Sequence, residues 1–379
     1  MFAKRLIIGI VVVALGFLVI FSQTGIPNGA KEKKEKPEAA GYGGAVSPKT
    51  PMLEYVDTPA TPGEEKILKG INAHLLLQPA DLEKSIGKWT IVDCRPKDLY
   101  NEGHIPTAVH LGETCNDFFR DDLEIKGIGS LKELAMGRVE ELEKKLGQAG
   151  ISLDRTLIFY DQREEPGATE RGRYYGIFAG YVFVPFWYME YMGHKDVRVL
   201  DGGIGAWTAE GRSLEQKTNK LQPTQFKANV MKSRLATTEE VLKIAKKEVD
   251  AQLVDSRTID EHLGNSPTPK GHFLADKIRR GGRIPNTVLN VPHYFQLNVK
   301  DNPDAPKLRQ VYQLHRLYQS LDKNKRTVLY CYIANRISFS YFVLRLLGFN
   351  DPAIYHDSWI VWGNDESLPI EAGKKVREF

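Results

Sequence analysis

The hydrophobic positions of this chain fall into three regimes. Residues 6–21 (LIIGIVVVALGFLVIF) are an unbroken apolar run, and residues 31–51 (KEKKEKPEAAGYGGAVSPKTP) carry almost no large apolar side chain. After that, short apolar runs that end in a polar residue or a cysteine alternate with longer mixed stretches. The runs IVD (91–93), LIFYD (157–161), LVD (253–255) and VLYC (328–331) have the length of buried strands. Between them, 237–248 (TTEEVLKIAKKE) and 338–347 (SFSYFVLRLL) read as helices, and Thr237 or Thr238 ahead of acidic residues suits a helix start. Strand–helix alternation predicts an α/β fold, a parallel sheet with helices on both faces. Ligands of such sheets sit beyond the carboxyl ends of the strands, where Cys331 falls.

The pattern also repeats. Ile91-Val92-Asp93-Cys94-Arg95 is echoed by Leu253-Val254-Asp255-Ser256-Arg257, and Gly103-His104-Ile105-Pro106-Thr107 by Gly282-Arg283-Ile284-Pro285-Asn286. Ile158-Phe159-Tyr160-Asp161 then matches Val328-Leu329-Tyr330-Cys331, and Tyr191-Met192-Gly193-His194 matches Leu346-Leu347-Gly348-Phe349. Each copy closes with a short strand and a tryptophan, Trp207 in the first and Trp362 in the second. A fixed order of matches predicts a duplicated unit, with domains at 66–215 and 222–379.

The region ahead of the duplication is of another kind. Lys4 and Arg5 precede the apolar run, which is short for a membrane-spanning helix and long for a signal-peptide core. Residues 1–24 are therefore expected to be an export signal or an uncleaved membrane anchor, with the anchor favoured and a periplasmic or otherwise extracytoplasmic location for the rest. Residues 25–65 read as a flexible linker, because Lys, Glu, Gly and Pro cannot build a core. Basic residues flank the apolar run on both sides, so charge does not set its orientation.

Composition narrows the function. The net charge is 52 − 48 = +4, too small for a nucleic-acid-binding surface. Three cysteines cannot build a disulfide framework, and no Cys-x-x-Cys or Cys/His cluster offers a structural metal site. Neither a phosphate-cradling glycine loop nor a serine-nucleophile elbow is present.

The tandem of Val-Asp-x-Arg, Gly-x-Ile-Pro and Tyr-Cys over about residues 72–370 resembles the two-domain rhodaneses, the thiosulfate and 3-mercaptopyruvate sulfurtransferases. The resemblance implies a reactive cysteine in the second copy, here Cys331, and an inactive first copy, here with Asp161 in its place. It implies two-step transfer: the thiolate attacks the outer sulfur of an anionic donor, expels sulfite, and passes the persulfide sulfur to cyanide or a thiol. No metal or cofactor enters such a reaction.

The residues support that chemistry independently. Cys331 stands where a strand turns into a helix, so backbone N–H groups and a helix N-terminus face it and favour an anion. Arg336 adds a positive charge. Only four residues separate the two, one fewer than in the Cys-x5-Arg loop of tyrosine phosphatases, a tighter cradle suited to sulfur. Tyr332, Ile333, Ala334 and Asn335 complete the loop and, with Arg336 and Arg257, are the substrate-binding candidates. Arg257 has two readings, a basic contact to the donor implied by the resemblance, or a partner of nearby acids in the fold. The loop departs from the family in carrying Ala334 where many relatives have glycine. Bulky, uncharged Tyr332 and Ile333 stand where thiosulfate users often place basic or polar groups. A mercaptopyruvate sulfurtransferase, a persulfide carrier without turnover and a silent interaction module are the alternatives.

Among the remaining features, Cys94 reads as a packed thiol at a strand end, and Cys115 as either free or in a labile disulfide. The aromatic stretch 174–191 (YYGIFAGYVFVPFWYMEY) reads as a core helix started or kinked at Pro185, with a membrane-facing or partner surface as the sharper alternative. His272, His293 and His356 lie near the second copy's motifs with no evident link to Cys331.

Overall fold

The computed structural model describes residues 51–67, 72–161, 182–266, 275–298 and 307–373. Residues 1–50, with the apolar segment and most of the linker, lie outside the described residues, as do 162–181 and His272. No helix among the described residues is long and apolar enough to cross a membrane.

The first copy contributes strands β1 (Leu76–Leu77), β2 (Thr90–Asp93), β3 (Val109–His110), β4 (Arg120–Ile125), β5 (Gly129–Met136), β6 (Leu157–Tyr160) and β7 (Val197–Leu200). The second contributes β8 (Leu235–Ala236), β9 (Gln252–Asp255), β10 (Thr287–Asn290), β11 (Leu297–Asn298), β12 (Lys307–Leu308), β13 (Thr327–Tyr330) and β14 (Pro352–Tyr355). The main sheets run β3-β2-β6-β7-β1 and β10-β9-β13-β14-β8. Every pair in both is parallel. The two orders superimpose strand for strand, so the sequence repeat is a structural one. Central strands β2, β6 and β13 are buried along their whole length, as expected for sheets covered on both faces.

The duplication extends to individual hydrogen bonds. In the first copy Arg95 gives two N–H groups to Asp93 and one, at 2.7 Å, to the Gly103 carbonyl. In the second Arg257 does the same with Asp255 and, at 2.7 Å, the Gly282 carbonyl. Tyr160 and Tyr330 each accept from the backbone N–H of the Ile before the motif proline, at 3.2 Å in both copies.

The copies share one core. The helix Phe183–Tyr191 is buried along nearly its whole length and packs on the helix Asn335–Leu346, with ring centroids 4.7 Å apart for Phe183–Phe339 and 5.0 Å for Phe186–Phe342. Glu190 closes the contact, accepting from Tyr341 Oη at 2.6 Å and from Arg345 Nε at 2.9 Å. The aromatic stretch is thus interior from Val182 to Tyr191, and the surface alternative does not hold there. Residues 174–181 lie outside the described residues.

Two expectations need correction. Residues 51–67 fold onto the second copy instead of belonging to a flexible linker: Arg316 is buried and donates to the carbonyls of Tyr55, Val56, Thr58 and Pro59 and to Glu64, and Val56 is fully buried. The composition of this stretch conceals that two buried arginines elsewhere, Arg309 and Arg316, take their counter-charges, Asp57 and Glu64, from it. The other correction concerns Cys94, which is no packed thiol. It is disulfide-bonded to Cys115, 21 residues on. Closing a loop of that length stabilises by about 3 kcal/mol through the unfolded chain. Cys94→Ser with Cys115→Ser is therefore expected to lower the unfolding free energy by about 2–4 kcal/mol in urea titration. An unchanged midpoint would show that the bridge does not form.

Candidate functional site

Cys331 follows the last residue of β13, at the carboxyl edge of the second sheet, and Asp161 occupies the same place after β6. The chain then turns through Tyr332, Ile333 and Ala334 into the helix Asn335–Leu346. Ala334 has φ +68°, a left-handed conformation that costs an L-residue about 1–2 kcal/mol. That is the physical reason glycine suits this position, and the alanine here is held by a closed set of bonds. Ser338 N and Oγ both donate to the Ala334 carbonyl. Cys331 N donates to Ser358 Oγ at 3.2 Å, Trp359 N to the Cys331 carbonyl, and Ile360 N to the Tyr332 carbonyl. The loop after β14 thus buckles the cysteine loop in place. The 12-residue helix begins directly after the loop, and its first-turn N–H groups have no intrahelical acceptor.

The predicted loop residues come together, but the arginines are engaged. Arg336 donates to both carboxylate oxygens of Glu261, at 2.7 and 2.9 Å. Glu261 is fully buried and also accepts from Thr258 N. Burial works against both charges, and their mutual attraction overcomes it, holding Glu261 below the ordinary carboxylate value and Arg336 above its own. Arg336 therefore reaches the sulfur site largely neutralised. Arg257 is 0% exposed; its Nε and Nη2 donate to Asp255 and to the Gly282 carbonyl beneath the Trp359 ring, while its Nη1 has no hydrogen-bond partner among the described residues. Arg95 makes the same bonds in the copy without the cysteine, which supports the ion-pair reading of Arg257, and the unpartnered Nη1 of Arg257 leaves the donor-contact reading open. Tyr332, Ile333 and Ala334 are buried, and Asn335 and Arg336 are partly so. Cys331, a free thiol, is itself completely buried.

Sequence reasoning missed Glu261 and Ser358, which hold Arg336 and Cys331 N. Glu261 had a visible signal, the Thr-x-x-Glu capping box at Thr258. Ser358 had none, being brought to Cys331 by a strand crossing. His356, one residue past β14, stacks edge-on near Tyr188 and lies 3.3 Å from its hydroxyl.

Burial pushes His293 down to about 3, with Arg336 adding to the effect, and pushes His356 well below its ordinary value, with Arg120 adding. Both rings stay neutral in the fold while the unfolded chain takes up protons below about pH 6.5. Stability is therefore full above that pH and falls on acidification, by up to about 1.4 kcal/mol per pH unit for each ring. Urea midpoints measured at pH 7, 6 and 5 should decline steadily. A flat profile would contradict the burial of both rings.

The structure is a tandem of two parallel α/β domains with one free cysteine at a strand-to-helix turn of the second. The chain belongs to the rhodanese-like domain family, which matches it twice, over residues 78–210 and 237–365. It is 31% identical over 285 residues to the sulfur carrier protein TtuD of Thermus thermophilus, covering 73% of this chain and 88% of that one. It is 30% identical to a thiosulfate sulfurtransferase of Corynebacterium glutamicum, covering 74% and 83%. Among solved structures, an anaerobic ergothioneine biosynthesis enzyme from Chlorobium limicola shares the fold, with TM-score 0.61 and 23% identity over 80% of this chain and 71% of that one.

Proposed function

We propose that the protein is a sulfurtransferase that carries sulfane sulfur as a persulfide on Cys331, taking it from thiosulfate or another anionic donor and giving it to a thiophilic acceptor. The observation that carries this reading is the loop itself: a free cysteine at the carboxyl edge of the sheet, followed by a left-handed residue and a helix N-terminus, at the position where the other copy holds Asp161. The thiolate attacks the outer sulfur of thiosulfate, the S–S bond breaks, and sulfite leaves with the electron pair. The persulfide anion on Cys331 is then attacked by cyanide or a thiolate, which takes the outer sulfur and returns the Cys331 thiolate. Helix N–H groups stabilise both anions, and Tyr332 and Ile333 exclude water. Cys331, Arg336, Tyr332, Ile333, Ala334 and Asn335 form the reacting loop, with Arg336 and Glu261 acting as a paired wall.

Complete burial of Cys331 supports a second reading, a carrier that yields its persulfide only to a docked partner. An extracytoplasmic location is proposed as well. It is supported by the apolar N-terminal run and by the Cys94–Cys115 bridge, a type of bond that persists in oxidising compartments. Thiocyanate release from thiosulfate and cyanide, with 3-mercaptopyruvate as the second donor, tests the function. Repeated turnover with thiosulfate establishes the enzyme. A single sulfur per chain selects the carrier, and no persulfide from either donor overturns both.

A further inference from the structure

Arg120 opens β4 in the inactive copy, and its side chain is turned inward. It is 5% exposed, and none of its three guanidinium nitrogens has a hydrogen-bond partner among the described residues. A guanidinium presents five N–H donors and keeps its proton in proteins, so leaving all of them unmet in the interior is costly. Arg257 and Arg336 show what this fold does with other buried arginines: each is given a carboxylate.

A chain of contacts links the Arg120 hairpin to the cysteine loop. Its hairpin partner is Met136, and the next residue, Gly137, donates to the Tyr188 hydroxyl at 3.2 Å. That hydroxyl meets His356 on the loop whose Ser358 holds Cys331 N. The charge of Arg120 acts on Tyr188 and His356, and Cys331 is among the groups whose charge acts on Arg120. Asp117, the one carboxylate in that set, is bonded instead to the Thr114 hydroxyl.

We propose that Arg120 is the oxyanion-binding residue of the site: the inactive first copy supplies the cation that holds the anionic end of the sulfur donor while Cys331 of the second copy attacks its sulfane sulfur. The assignment rests on the sulfurtransferase reading for the identity of the donor, but not for the existence of an anion site. In the reaction the sulfonate oxygens accept from the Arg120 N–H groups, and the sulfite that leaves with the S–S electron pair remains paired to the same guanidinium. The class of ligand is a small dianion with three oxygens at one end. Arg336, neutralised by Glu261, is left to position the loop.

Thiosulfate binding by the Cys331→Ser protein, which cannot react, tests this by calorimetry with and without Arg120→Gln. Loss of at least about thirtyfold in affinity is expected, the scale of a charge-assisted pair. Thermal melting gives the second readout. Without ligand Arg120→Gln should melt at the same temperature or higher, because an unpaired buried charge has been removed. Thiosulfate should raise the melting temperature only when Arg120 is present. Equal affinity in the two proteins, or an Arg120→Gln protein that melts lower yet keeps its thiosulfate shift, overturns the proposal and makes Arg120 structural. Persulfide formation by the unaltered chain, read by mass spectrometry, reports on the sulfurtransferase reading separately. Its absence with thiosulfate binding intact removes that reading and leaves the anion site standing.

Discussion

Replacing Cys331 with serine is expected to abolish persulfide formation and to lower thiocyanate release by about a thousandfold or more, leaving the fold intact. Loss of a covalent nucleophile removes the intermediate rather than weakening it. The hydroxyl is nearly isosteric, and the loop is held by backbone bonds from Ser338, Trp359 and Ile360 that do not involve the side chain. A mass shift of one sulfur after incubation with thiosulfate, seen in the unaltered chain and missing from Cys331→Ser, would assign the atom. Cys94 and Cys115 serve as internal controls, because a disulfide cannot accept sulfur in this way without first being reduced. If Cys331→Ser retained turnover, the site would lie elsewhere.

The largest stability effect is expected from Asp255→Asn. Asp255 is fully buried and accepts from Arg257 Nε, one terminal nitrogen and the backbone N, and contacts His262 Nδ1 at 2.9 Å. Removing its charge leaves Arg257, also fully buried, without a counter-ion. Breaking such a pair from one side costs about 3–5 kcal/mol. Removing both charges with Asp255→Asn and Arg257→Met should recover much of the loss, because the desolvation penalty goes with the second charge. Glu239→Gln, which breaks an exposed helix pair with Lys243, should change stability by no more than about 0.5 kcal/mol. Chemical denaturation of the four proteins checks all of this, and similar midpoints for Asp255→Asn and Glu239→Gln would sink the argument.

The repeat, the parallel sheets and the position of the free cysteine were legible because they are written in local pattern. Four-residue apolar runs report burial on both faces of a strand, and a fixed order of matched motifs reports a second copy of the same unit. Cys331 stood out because its copy holds Asp161 at the same place. The two arginines were legible as residues but not as roles. A guanidinium near a cysteine in sequence is a candidate ligand for its substrate, and only coordinates reveal that Glu261 and Asp255 have already claimed Arg336 and Arg257.

What the sequence alone determined was thus the fold class and the duplication, and it singled out the candidate nucleophile, each from a pattern within a few dozen residues of chain. The tertiary structure decided which charges remain free at the sulfur. Arg120 lies 211 residues from Cys331 (331 − 120), in a hairpin with no counterpart in the repeated motifs. In the proposed site it is linked to the cysteine loop through Tyr188, on the helix Phe183–Tyr191, and His356. Residues 51–67 likewise find the partners of Asp57 and Glu64, Arg309 and Arg316, far along the chain in the second copy. Hydrophobic periodicity specifies which face of an element is buried, but the pairing of a buried charge depends on which elements meet, and that is settled only when the two copies pack into one core.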